Sequence, residues 1–119
     1  MILQNHSSYP VAFIAGAYEA GISRSYRFHY CNNGKMYYSL VGSNEREVNP
    51  TGHGEKWEEK LSKYLDSTEI FLAYHADSAN KYIDNYGCDS LGKRNDLVLK
   101  RFDVTVDYLK KNNWTLTYP

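Results

Sequence analysis

The triplet Asn32-Asn33-Gly34 constrains the fold of this chain more than any other stretch. Asparagine and glycine tolerate positive φ, so the triplet marks a tight reversal between two extended arms. Residues Ser25 to Val41 alternate on either side of it, which predicts a hairpin. Its register follows from the faces. A two-residue loop at Asn33-Gly34 sets Cys31 against Met36 and Phe28 against Ser39. A three-residue loop sets Phe28 against Tyr38, Tyr30 against Met36 and Tyr26 against Leu40. Only the three-residue loop gathers Tyr26, Phe28, Tyr30, Met36, Tyr38 and Leu40 on one face. Arg27, His29, Cys31, Lys35, Tyr37 and Ser39 then share the other. A slip of one residue would mix the two sets, because strand side chains alternate. The expectation is therefore a three-residue loop with Gly34 in the left-handed conformation.

Other elements are placed around this hairpin. The apolar segment Pro10–Ala15 predicts a short strand, and the glycine- and asparagine-rich residues 42–54 predict a loop. Trp57, Leu61, Tyr64 and Leu65 form one apolar stripe, so a helix is expected over about Glu55–Asp66. Glu69–His75 reads as a buried strand. A short helix capped by Asp77 or Ser78 should follow, running to Tyr86 and stopping at Gly87. Asp96–Lys111 fits two periods. Arg101–Tyr108 alternates as a strand would, yet Val98, Leu99, Phe102, Val106 and Leu109 also share one helical arc. Asn95 and Asp96 at the start and Lys110-Lys111 at the end agree with the helix dipole, so helix is the expectation. Trp114–Tyr118 returns as a strand.

The order predicts an α+β protein with a mainly antiparallel sheet of four to five strands and two to three helices packed on one face. With 119 residues and no internal repeat or linker, residues 1–119 read as one domain. No apolar run is long enough to span a bilayer, and Met1–Asn5 carries no basic cluster of a signal peptide. Cys31 and Cys88 are not needed to staple a domain of this size, and two reduced thiols in a cytoplasmic protein are expected.

Charge narrows the function classes. Lys+Arg and Asp+Glu are both 14, so the net charge is zero, which argues against generic nucleic-acid binding and against an acidic nucleic-acid mimic. Charge is nonetheless uneven: residues 1–50 carry +1, residues 51–90 carry −4 and residues 91–119 carry +3. The acidic middle includes Glu55, Glu58 and Glu59, and the basic end includes Lys93 and Arg94.

Catalytic and metal motifs are sparse. His6, His29, His53 and His75 show no metal-ligand spacing, and there is no nucleotide-binding glycine loop. Three weaker arrangements remain. His75 with Asp77 stands at a strand end, where a base and its orienting carboxylate would serve a small hydrolase or nuclease-like enzyme. Cys31 and His29 share a strand face. Gly92-Lys93-Arg94-Asn95 places two cations where an anion could sit. A stacking tyrosine with Arg24, Arg27 or Arg94 for the phosphate would suit a nucleotide-type ligand.

Twelve tyrosines are more than so small an interior holds. Tyrosine offers wide contact area at low entropy cost and is enriched where proteins touch. The expected function is a soluble, non-enzymatic protein-binding module, such as an inhibitor or immunity-type protein, with no cofactor or metal. Its partner would be another protein, met through Tyr37, Tyr108, Glu55, Glu58, Glu59, Lys93 and Arg94.

Overall fold

The computed structural model describes residues 1–18, 26–48 and 56–119. Arg24, His53 and Glu55 lie outside the described residues. The chain folds as an α+β protein around a five-stranded antiparallel sheet. Its centre is β8 (Glu69–His75), flanked by β2 (Val11–Tyr18) and β9 (Val98–Val104). β8 is buried along nearly its whole length, as its apolar run requires.

Two short strands share the outer edge of β2 end to end. β3 (Tyr26–Phe28) pairs with Gly16–Tyr18, and β6 (Ser39–Val41) pairs with Val11–Phe13. This overturns the long hairpin. Its arms gain their ladders from β2 rather than from each other, so Phe28 lies opposite Gly16 and not Tyr38. The reversal survives only at its tip, where β4 (Cys31–Asn32) meets β5 (Lys35–Met36). Cys31 opposes Met36 across a two-residue loop, and Asn33 (φ 53°) and Gly34 (φ 78°) are both left-handed. That is the backbone of the tight hairpin turn whose twist matches its strands. The three-residue loop assumed that every side chain of both arms faced one shared core, and pairing with β2 removes that condition.

A second, three-stranded sheet has the order β10-β1-β7. β1 (Ile2–Asn5) runs parallel to β10 (Thr115–Tyr118) and antiparallel to β7 (Arg46–Val48). β10 matches the expected C-terminal strand. β1 was not foreseen, and β7 falls inside the expected loop at 42–54. Both are short and draw their hydrogen bonds from distant segments.

The two sheets and the helices enclose two cores. On one face of the main sheet, Phe13, Phe71, Phe102 and Val104 pack with Leu3 and Leu116 of the small sheet and Leu109 of α3 (Val106–Lys111). On the other face, Ile14, Leu72 and Tyr74 pack with Leu91 and with Ala79 of α2 (Ala76–Tyr86). Trp57 of α1 (Trp57–Leu61) joins the first core. The helices thus divide between the faces instead of sharing one.

The expected helix over Asp96–Lys111 is overturned. Residues 98–104 form β9, with Phe102 and Val104 buried and Arg101 and Asp103 exposed, the alternation of a strand. Only the end is helical: Thr105 Oγ1 accepts from the Tyr108 N–H at 3.1 Å and starts α3, and Lys110 and Lys111 close it. Ladder bonds along β8 decide between two periods that the sequence satisfies equally. α1 is shorter than the expected helix, because after Leu61 the backbone turns, with Asp66 at φ 55°. α2 starts at Ala76, ahead of the expected cap, and its first N–H donates to the Pro10 carbonyl at 3.1 Å. Gly87 (φ 78°) ends it as expected.

Cys31 and Cys88 form a disulfide with Cα atoms 5.9 Å apart. The expected reduced thiols are therefore corrected. α2 delivers Cys88 beside the hairpin tip, a proximity that a separation of 57 residues does not announce. The fully buried Asn5 fastens the small sheet to the main one. Its Nδ2 donates to the Tyr9, Val41 and Gly42 carbonyls at 2.7, 3.1 and 3.1 Å, and its Oδ1 accepts from the Ser7 N–H at 2.8 Å.

Candidate functional site

Most tyrosines form the rims of the two cores. Only Tyr74 is fully buried, Tyr30, Tyr37 and Tyr86 are exposed, and the other eight are half-buried. The rim positions use the apolar ring inside and the hydroxyl outside. Tyr9 shows the pattern: its ring stacks on His75 at 4.9 Å and its hydroxyl meets that of Tyr118 at 2.7 Å.

The exposed pair Tyr30 and Tyr37 is different. The Tyr37 N–H donates to the Tyr30 carbonyl at 3.3 Å, so the two residues stand on opposite arms of the hairpin tip. Tyr37 is 82% exposed and Tyr30 52%. Both line a hollow of about 200 Å³ with Tyr38, Ser39 and Glu47, floored by Phe13, Ala15 and Phe71. The disulfide ties this hairpin to the end of α2, so the aromatic pair sits on a braced support.

A second, larger concavity of about 780 Å³ opens between β3, the hairpin and the turn at Leu91–Lys93. Arg27, His29, Tyr64, Asp89 and Lys93 line it. Behind its wall the carboxylate of Glu69 is 1% exposed. His29 Nε2 approaches it to 2.8 Å, off the line of a hydrogen bond, and Lys60 Nζ to 3.6 Å. The Tyr64 ring stacks on the His29 ring at 5.0 Å.

The residues expected to touch a partner are distributed as follows. Tyr37 lines the aromatic hollow and Lys93 the larger groove. Tyr108 is half-buried against the first core, and desolvation raises its phenol pKa. Glu58 and Glu59 are exposed in the first turn of α1. Arg94 is exposed but occupied: its Nε and Nη2 donate to Asp96 at 2.8 and 2.7 Å, and it lies 5.3 Å from the Tyr82 ring centre. Those bonds hold the Asp96 carboxyl below the usual range.

The enzyme arrangements do not assemble. His75 is stacked under Tyr9 with a buried Nδ1 that lacks a hydrogen bond, while Asp77 is exposed on α2, and no contact joins them among the described residues. Cys31 offers no thiol to His29, because its sulfur is bonded to Cys88. The donor atoms of Cys31, Cys88 and Asp89 fall within 4.8 Å of one another, but the disulfide removes both thiolates a metal would need. The pair that sequence reading missed is His29 with Glu69. Its one visible signal was an acid at the head of an otherwise apolar strand.

No helix among the described residues is long and apolar enough to cross a membrane. No protein-family model, curated protein or solved structure matches this chain.

Proposed function

We propose that this chain is a small non-enzymatic protein-binding module, of inhibitor or immunity type, that docks on another protein through its braced hairpin. One observation carries the reading: Tyr30 and Tyr37, both exposed, face each other across a tight turn and overhang an apolar hollow. Large aromatic side chains on a support that is already ordered bind with little further loss of conformational freedom. The hollow would take one apolar side chain of the partner, and Glu47 on its rim would favour a basic neighbour beside it. Glu58 and Glu59 on α1 and Lys93 on the groove are not part of the aromatic hollow, so they enter as steering charges rather than as its centre.

The bridge between Cys31 and Cys88 also bears on the setting. The cytoplasmic expectation rested on reduced thiols, and a structural disulfide instead suits oxidising surroundings.

Affinity capture from the native source tests the reading when wild type is compared with a Tyr30→Ala/Tyr37→Ala variant. A discrete protein retained by the wild type and lost by the variant, with both melting at the same temperature, is the expected result. Identical captures from the two, or none from either, would overturn it.

A further inference from the structure

The larger groove carries its own inference, independent of the hairpin. We propose that it binds a small phosphate monoester carried on a planar ring, a nucleoside monophosphate being the type. The cations argue for the phosphate. Arg27 from β3 and Lys93 from the turn at Leu91–Lys93 line the same groove, and neither has an ion-pair partner among the described residues. The neighbouring arginines are spent, Arg94 on Asp96 and Arg101 on Asp103. Two cations on one lining, neither ion-paired among the described residues, suit a dianionic group, which an arginine fork and a lysine ammonium grip through charge-assisted hydrogen bonds.

The remaining wall argues for a ring and hydroxyls. Tyr26, Phe28 and Tyr64 give it aromatic surface, and the stack of Tyr64 on His29 presents a flat, preformed edge. Tyr64 stacks on the imidazole and the Glu69 carboxylate lies 2.8 Å from its Nε2, so His29 is packed in place on the groove wall. Among the described residues Asp89 is the one acid on the lining, where it would accept from ribose hydroxyls or an exocyclic amine while the cations take the phosphate. A volume of about 780 Å³ falls in the range of small-molecule sites.

Calorimetric titration with AMP, inorganic phosphate and adenosine decides the matter. AMP should bind, with phosphate and adenosine each at least tenfold weaker. An Arg27→Ala/Lys93→Ala variant, changed only at exposed positions, should keep its melting temperature and lose at least tenfold in AMP affinity. A Tyr37→Ala variant should bind AMP as the wild type does, which separates this site from the docking surface of the hairpin. Absence of AMP binding at millimolar concentration, or unchanged affinity in the Arg27/Lys93 variant, would overturn the proposal. Equal binding of phosphate and AMP would overturn the ring component, and equal binding of adenosine and AMP the phosphate component.

Discussion

His29 Nε2 lies 2.8 Å from the carboxylate of Glu69, which is almost wholly shielded from water. Glu69 opens β8 and His29 directly follows β3, the strands on either side of β2, so their contact reports the correct assembly of three strands. Lys60 Nζ adds a positive partner at 3.6 Å. Removing one member of a buried ion pair costs about 3–5 kcal/mol where burial is complete. His29 and Lys60 keep 19% and 12% of their surface in contact with solvent, so part of that penalty is recovered by hydration. Glu69→Ala should therefore cost about 2–4 kcal/mol. A double-mutant cycle with His29→Ala, read by urea unfolding, should give a coupling of about 1–3 kcal/mol. Strict additivity would mean the proximity contributes nothing.

The disulfide makes a separate claim on stability. It closes a loop of 57 residues between Cys31 and Cys88. Chain-entropy arguments assign a cross-link of that span about 4 kcal/mol, less whatever structure the reduced unfolded chain retains. A Cys31→Ser/Cys88→Ser variant should accordingly unfold at lower urea than the wild type. The hairpin carrying Tyr30 and Tyr37 should lose hydrogen-exchange protection before β8 does, because the bridge is its brace. Free thiols in the purified wild type, or equal urea midpoints, would contradict this.

The parts that could be read from the sequence are those that carry their own punctuation. β8 is seven residues of mostly apolar chain with turn chemistry on both sides, and α2 ends at a glycine whose backbone only glycine adopts easily. The parts that could not be read depend on a partner far along the chain. β1 is held by β10 from the opposite terminus, and β9 is a strand because β8 lies beside it. At the hairpin, the face argument was sound for two strands that pair with each other, but it had no means of knowing that β2 would take both. The same limit applied to the sites. Tyr37 stood out because it fell on the wetter face of the hairpin, whereas His29 and Glu69 are 40 positions apart and become one feature only when β2 separates their strands. Arg94 looked like a free cation until Asp96, two residues on, turned back to hold it.

The buried phenols set the alkaline limit of the fold. Desolvation raises the pKa of Tyr26 and of Tyr74 well above the usual phenol value. In the unfolded chain both would ionise near pH 10. Above that pH the unfolded state has fewer protons than the native state, so stability falls as pH rises; below it, their contribution is complete. The melting temperature should thus hold steady up to about pH 9 and drop beyond about pH 10. In an ultraviolet titration Tyr26 and Tyr74 should ionise only as the fold opens. Tyr74 sharpens the test, because its hydroxyl is buried without a hydrogen-bond partner. Tyr74→Phe deletes an unsatisfied polar group and should leave stability at neutral pH unchanged or raised by up to about 1 kcal/mol. It should also flatten the alkaline decline, since one of the phenol protons that the native state retains is gone. A loss of more than about 1 kcal/mol at neutral pH would show that the Tyr74 hydroxyl has a stabilising partner after all.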